Sequence, residues 1–203
     1  MLHKFFSFFF FILGFSFIIS QKSFAQSKPL VSGDEAPEFT AKASLAGKEF
    51  KFSLEKALDK GPVVVYFYPA AYTGGCDLEA HTFSTHINEF EDAGATIIGV
   101  SADDIKRLNR FSSDPEYCAG NFPVASDPEG NIAATYGLEI TPPQSGITDV
   151  NGDPVDHGFI PRTTFVINEE GVVAAVFSSK ADQISPDEHV TKALEIVKKM
   201  KTD

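Results

Sequence analysis

A short apolar run, GPVVVYFYP at residues 61–69, constrains the fold of this chain more than any other feature. Its centre, residues 63–68, is β-branched or aromatic throughout, and prolines bound it on both sides. A run of this length with no charged residue is typical of a strand that is buried on both faces. The sequence therefore predicts an interior β-strand here.

Helices and strands alternate after this run. The predicted elements, in order, are a helix over 74–93 closed by Gly94, a strand over 95–100, a helix capped by Ser101, a short strand within 122–127, a short helix within 128–137, a hairpin of strands 163–167 and 172–177, and a last helix with Ser185 as its N-cap and Pro186 at its first position. This order predicts an α/β sandwich with a central mixed sheet flanked by helices.

The first 25 residues predict a secretory signal peptide. A basic start is followed by a largely apolar run of 15 residues, 5–19, and small residues Ser23 and Ala25 precede a cleavage site before Gln26. An uncleaved membrane anchor is the alternative, although the run is short for a membrane span. We therefore expect an exported protein, periplasmic or secreted, with a lead-in segment over 26–37 and one folded domain over 38–203.

The charge of the mature chain excludes some classes of partner. Cleavage would remove Lys4 and Lys22 but no acid, so the formal charge falls from −11 to −13. Such an acidic protein is a poor fit for nucleic acid or for an anionic lipid surface. The chain has two cysteines, which allow one intramolecular disulfide in an oxidising compartment. The fold must therefore rest on its own core.

Cys76 lies in the first turn of the helix predicted over 74–93. It shares one helix face with Ala80, Phe83 and Phe90, and that face must pack on the sheet. Free backbone N–H groups and the positive end of the helix dipole favour a thiolate at this place, which is one recognised way to lower the pKa of a cysteine and make it a nucleophile. A small buried hydrophobic residue would fit the position equally well. Position alone leaves the two interpretations even.

The neighbours of Cys76 add a resemblance. Pro69, Thr73 and Cys76 form the pattern P-x-x-x-T-x-x-C, Glu79 follows, and Arg162 opens the later stretch PRTTFVI. This combination resembles the active-site signature of peroxiredoxins, the thiol peroxidases of the thiol-specific antioxidant family. The bacterioferritin-comigratory-protein branch, also called Q-type, is the best match. The resemblance implies a thioredoxin-like fold and a peroxidase that needs no metal, haem or flavin.

The resemblance also implies a role for each of these residues. Cys76 would attack hydrogen peroxide or an organic hydroperoxide, which the hydroxyl of Thr73 and the N–H of Cys76 would hold. Arg162 would stabilise the thiolate and the departing oxygen, Pro69 would exclude water, and Glu79 would orient the arginine. A helix N-cap for Thr73 and a surface ion pair for Arg162 are the plain structural alternatives.

Cys118 is the internal candidate for resolving the oxidised Cys76. In many Q-type enzymes the resolving cysteine follows five residues after the first, but His81 occupies that place here. Other members carry it on the following helix, which suits Cys118, so an intramolecular disulfide formed by local unfolding is expected. A permanent structural disulfide, or a free Cys118 with an outside thiol, is the alternative. A thioredoxin-like dithiol protein would re-reduce the enzyme, which could be a monomer or a dimer.

The segment over 138–161 departs most from the family pattern. It is rich in Pro, Gly and Asp, and it suggests a small hairpin that turns on Asn151-Gly152. A calcium loop is disfavoured because its sixth and twelfth positions are Pro154 and Ile160. A second function class remains open, namely a non-enzymatic thioredoxin-like binding domain with a structural Cys76–Cys118 disulfide and a ligand in this segment.

Overall fold

The computed structural model describes residues 28–202, so the predicted signal peptide lies outside the described residues. Among the described residues, no helix combines the length and the apolar character that a membrane crossing requires. Residues 32–36 run beside the later hairpin: the N–H of Gly33 bonds the carbonyl of Val173, and Glu35 forms a bridge with Val172. The division between lead-in and domain at residue 38 stays a prediction.

The described chain contains seven strands and seven helices. They are β1 (Thr40–Leu45), β2 (Lys48–Ser53), α1 (Leu54–Leu58), β3 (Val63–Phe67), α2 (Gly74–Thr85), α3 (Ile87–Asp92), β4 (Thr96–Ser101), α4 (Ile105–Ser113), β5 (Val124–Ser126), α5 (Asn131–Thr135), β6 (Thr163–Ile167), β7 (Val173–Ser178), α6 (Ser179–Asp182) and α7 (Pro186–Thr202).

All seven strands belong to one sheet in the order β2-β1-β5-β4-β3-β6-β7. Strand β3 pairs in parallel with β4 and antiparallel with β6, and β4 pairs in parallel with β5. The outer pairs, β1 with β2 and β6 with β7, are antiparallel hairpins. The predicted mixed sheet flanked by helices is confirmed.

The alternation of side chains along β3 divides the core into two layers. Val64 and Tyr66 face a cluster that includes apolar residues of α2, α3, α4 and α7, and the ring of Tyr66 stacks on that of Phe83 at 4.6 Å. Val65 and Phe67 face a second cluster with residues of α1 and α5. Every residue of β3 is buried, so the interior strand expected from the sequence is confirmed.

Two predicted helix boundaries are wrong. The helix expected over 74–93 is interrupted at His86, whose backbone (φ −99, ψ 9) is not helical. The hydroxyls of Thr82 and Thr85 bond backbone carbonyls in the preceding turn, a pattern that bends helices. Ser101 does not cap α4, because it is still paired in β4 with Ser126. The cap is Asp104, which accepts from the N–H of Arg107.

The first hairpin, β1 and β2, and helix α1 carried no prediction. Strand β2 is mostly exposed, with polar residues at alternate positions, so it lacks the apolar run that marks β3. The predicted turn at Asn151-Gly152 is confirmed by the bond from the N–H of Gly152 to the carbonyl of Asp149 and by the bridge between Thr148 and Pro154. Gly152 has a φ of +82°, which glycine adopts without strain.

Candidate active site

The pairing of β3 with β6 gathers the predicted site at one end of these strands. Phe67, the last residue of β3, lies opposite Thr163, the first residue of β6. Because the strands are antiparallel, Arg162 stands beside the point where the chain leaves β3. Helix α2 begins seven residues after β3 ends and carries Cys76 in its first turn. Residues that are far apart in sequence therefore become neighbours.

Cys76, Glu79 and Arg162 are in direct contact. One terminal nitrogen of Arg162, Nη2, lies 3.1 Å from Sγ of Cys76, and the other, Nη1, forms a short ion pair with Oε2 of Glu79. Cys76 is 2% exposed, and the side chains of Glu79 and Arg162 are 0% and 10% exposed. The surface ion pair considered for Arg162 is therefore wrong, because both partners are buried.

One buried cation, Arg162, therefore contacts two buried acidic groups, the thiol of Cys76 and the carboxyl group of Glu79. Burial raises the pKa of Glu79 to about 7, against the opposing charge of Arg162. Burial likewise raises the pKa of Cys76, while Arg162 lowers it and the charge of Glu79 raises it. The nearby carboxylate and thiol keep the pKa of Arg162 raised in spite of its burial. Arg162 therefore stays charged, and the two acids compete for it.

In this buried state the pKa of Cys76 is raised, although the helix N-terminus by itself would favour a thiolate. The helix N-terminus supplies less than was expected, since the N–H of Cys76 already bonds the carbonyl of Thr73 at 2.7 Å. Hydrogen bonds from the N–H of Ala70 and the hydroxyl of Thr73 do lower the pKa of Cys76, but burial has the larger effect. A thiolate at this place depends mainly on Arg162.

Thr73 and Pro69 flank the same loop. Thr73 has the extended backbone of a helix N-cap (φ −126, ψ 131), yet its side chain makes no capping bond. Its hydroxyl donates to the carbonyl of Ala70 at 2.7 Å, and its interaction with Cys76 lowers the pKa of that thiol. The hydroxyl has one proton, which can serve one acceptor at a time. Pro69 is half-buried two residues after the end of β3. Both predicted residues thus lie in the loop that joins β3 to the helix of Cys76.

Cys118 is buried in the same apolar cluster as Cys76, and both cysteines are free thiols. It lies in a turn five residues beyond the end of α4, rather than at the end of that helix as predicted. Two bonds tie this turn to α2: His81 to the carbonyl of Glu116 at 2.9 Å, and Asn121 to the hydroxyl of Ser84 at 2.8 Å. Burial raises the pKa of Cys118 well above its usual range.

A buried histidine supports the strand that follows Arg162. His189 of α7 bonds the hydroxyls of Thr164 and Ser179, each at 2.9 Å. Burial, with the charge of Arg162, lowers the pKa of His189 to about 4, so this imidazole is neutral at neutral pH. It therefore adds hydrogen bonds and no second cation near the site.

Sequence reasoning missed a second buried charged group beside the site, formed by Asp103, Arg107, Asp149 and His157. Asp103 and Arg107 are four residues apart on the chain, a spacing that could have suggested an ion pair. The contributions of Asp149 and His157 come from the 138–161 segment and carried no such signal. Among the described residues, no cluster of His, Cys, Asp and Glu suitable for a metal is found.

Comparison with known proteins identifies the family of this chain. The AhpC/TSA family profile matches residues 32–176. A peroxiredoxin of Mycobacterium tuberculosis is 34% identical over 141 residues, covering 70% of this chain and 80% of that protein. The chloroplastic peroxiredoxin Q of Populus jackii is 31% identical over 170 residues, covering 83% of this chain and 68% of that protein.

Two solved structures extend the comparison. The crystal structure of peroxidoxin BcpB from Mycobacterium tuberculosis superposes with a TM-score of 0.68 at 30% identity, covering 83% of this chain and 96% of that one. The bacterioferritin comigratory protein of Xanthomonas campestris superposes with a TM-score of 0.60 at 26% identity, covering 79% and 91%. The thioredoxin-like architecture expected from the resemblance is confirmed.

The fold and the buried thiol–arginine pair define a thiol peroxidase of the peroxiredoxin class. The chain belongs to the AhpC/TSA family, and its relatives are of the peroxiredoxin Q and bacterioferritin-comigratory type.

Replacing Glu79 should show the competition for Arg162. In a Cys118→Ala background, we expect Glu79→Gln to lower the midpoint of Cys76 ionisation by roughly one pH unit, because an opposing charge is removed. The ultraviolet absorbance of the thiolate, followed against pH, measures this midpoint. Glu89→Gln, an exposed carboxylate that pairs with Lys198, is the matched control and should leave it unchanged. An unchanged or higher midpoint in Glu79→Gln would contradict the shared-cation account.

Proposed function

We propose that this protein reduces hydrogen peroxide and small organic hydroperoxides through Cys76. The observation that carries the proposal is the 3.1 Å contact between Arg162 Nη2 and Cys76 Sγ in a buried site. A buried guanidinium beside a thiol stabilises the nucleophile and also the negative charge that develops on a leaving oxygen. The bacterioferritin comigratory protein of Xanthomonas campestris has alkyl peroxide reduction activity, which supports organic hydroperoxides as substrates.

In the first step the thiolate of Cys76 attacks one peroxide oxygen. A sulfur–oxygen bond forms, the oxygen–oxygen bond breaks, and Cys76 becomes a sulfenic acid. The other oxygen leaves as hydroxide or alkoxide and takes up a proton to give water or an alcohol.

The surrounding residues assist this step. Arg162 faces the developing negative charge, and Glu79 orients Arg162. Thr73 can turn its hydroxyl proton from the carbonyl of Ala70 towards the substrate. The N–H of Cys76 can bind the substrate only when its hydrogen bond to the carbonyl of Thr73 is broken. Pro69 limits the access of water to the sulfenic acid.

In the second step Cys118 resolves the sulfenic acid. Its thiol condenses with Cys76, which forms a disulfide and releases one water. Both thiols are buried, and the bonds from His81 to Glu116 and from Asn121 to Ser84 hold their segments in place. The condensation therefore requires local opening of α2 or of the turn around Cys118, which breaks these bonds.

An external dithiol protein of the thioredoxin type would then reduce the disulfide and return both thiols. The sulfenic and disulfide chemistry needs no metal, haem or flavin, because the two sulfurs carry the electrons. No observation favours the alternative of a non-enzymatic binding domain.

We also propose that the protein is exported and acts in the periplasm or outside the cell. The support is the sequence pattern of residues 1–25, which lie outside the described residues. N-terminal sequencing of the protein from its producing cells tests this directly: a first residue of Gln26 agrees with cleavage, and an intact Met1 would contradict it.

Cysteine variants separate the two chemical steps. After one equivalent of hydrogen peroxide, we expect the wild type to lose both thiols and Cys118→Ser to accumulate a sulfenic acid that dimedone traps. Cys76→Ser should react no faster than free cysteine, since the remaining thiol is buried and has a raised pKa. Mass spectrometry after a stopped-flow mix reads both products. A wild type that keeps the Cys118 thiol after oxidation of Cys76 would contradict the resolving role.

A further inference from the structure

The segment over 138–161 is fastened to the loop that precedes Cys76 by a buried group of charges, here named the Arg107 network: Asp103, Arg107, Asp149 and His157. Their side chains are 0% exposed for both aspartates, 11% for Arg107 and 15% for His157. The proposed chemistry uses none of them. Burying charges costs free energy unless they are paired, so such a network calls for a structural or functional reason.

Arg107 stands at the centre of this network. Its Nη2 lies 2.7 Å from Oδ2 of Asp149 and donates to the carbonyl of Ala71 at 3.2 Å, while its Nε lies 3.1 Å from Oδ1 of Asp103. One guanidinium thus joins helix α4, the 138–161 segment and the loop before Cys76. The planar fork of arginine can satisfy several acceptors in fixed directions, which the point charge of lysine cannot.

Asp103 binds the same loop from the other side. Its Oδ2 accepts from the N–H of Ala71 at 2.8 Å and from the hydroxyl of Ser101 at 2.7 Å. Its Oδ1 lies 2.9 Å from Nε2 of His157, whose Nδ1 is 2.8 Å from the carbonyl of Gly158. Both polar backbone groups of Ala71 are therefore held by members of the Arg107 network.

The next residue, Tyr72, is held in a strained conformation. Its φ is +60°, in the left-handed region that a bulky residue rarely adopts because its Cβ then crowds the backbone. Its carbonyl accepts from the N–H of Val150 at 2.9 Å, and the guanidinium of Arg107 lies 5.9 Å from the centre of its ring. Such strain persists only where the surroundings over-determine the backbone.

These contacts act on the residues that hold the thiol. The backbone of Ala70 and the hydroxyl of Thr73 both lower the pKa of Cys76. These two residues flank Ala71 and Tyr72, which the network fixes. A shift of the backbone at 71 and 72 would move both donors away from Cys76. Small displacements of such groups reduce rates strongly, because reaction requires aligned donors.

We infer that Arg107 is a positioning residue for the peroxidase reaction. With Asp103 and Asp149 it holds the 138–161 segment against residues 71–72. This contact keeps Ala70 and Thr73 oriented towards Cys76. The inference rests on the proposed function for its effect on rate. On this inference, the 138–161 segment stabilises the conformation of the loop that precedes Cys76.

The test compares Arg107→Lys with Arg110→Ala. Arg110 is the matched control, since it joins the same helix to the same segment through Asp153 at 3.3 Å but is exposed. We expect Arg107→Lys to slow oxidation of Cys76 by hydrogen peroxide by about tenfold to 100-fold. In a Cys118→Ala background it should also move the pH profile of Cys76 alkylation to higher pH, since two donors that favour the thiolate are displaced. Arg110→Ala should match the wild type in both measurements.

A folded Arg107→Lys with wild-type oxidation rate and alkylation profile would overturn the inference. If Arg107→Lys does not fold, Asp149→Asn decides by the same two criteria, because it removes the charge that joins the segment to Arg107 and preserves the side-chain shape. Oxidation of the wild type at the rate of free cysteine would defeat the proposed function instead. The alkylation profiles would still decide whether Arg107 positions the donors around Cys76.

Discussion

The site depends on one buried cation. Arg162 contacts the sulfur of Cys76 and the carboxylate of Glu79, and burial of all three removes the water that would otherwise screen them. Without Arg162, a thiolate at this place would be an unpaired charge in an apolar cluster, which is strongly disfavoured. With it, the thiol can ionise, and the same charge can serve the leaving oxygen. Glu79 holds the guanidinium in place and in return competes for its charge.

The topology of the sheet places Arg162 at the site. The antiparallel pairing of β6 with β3 sets Arg162 beside the end of β3, and the parallel pairing of β4 with β3 brings Asp103 to the same edge. Helix α2 then supplies Cys76 and Glu79 one turn apart on its buried face. The loop between β3 and α2 is short and strained, and the Arg107 network supports it. The reactivity of Cys76 thus depends on how β3, β4 and β6 are paired and on the conformation of the loop between β3 and α2.

Much of the fold and of the site could be predicted from the sequence, and the features that could not be predicted depend on tertiary packing. The strands with long apolar runs, β3 and β4, and the terminal helix α7 follow from periodicity and capping residues, and Cys76, Thr73 and Arg162 follow from the family pattern. The exposed strand β2 has no apolar run, and the break at His86 comes from threonine side chains that the helix pattern does not reveal. The raised pKa of Cys76 was missed because burial depends on packing, and Asp149 and His157 were missed because only the folded segment brings them to Arg107.

The most direct test of the central claim removes the cation without leaving a buried carboxylate unpaired. The rate constant for oxidation by hydrogen peroxide is measured by stopped flow for Glu79→Gln and for Glu79→Gln combined with Arg162→Gln, after circular dichroism shows that both are folded. The account predicts that loss of Arg162 lowers this constant by about 100-fold or more. Equal rate constants in the two proteins would show that the thiol is activated by something other than Arg162.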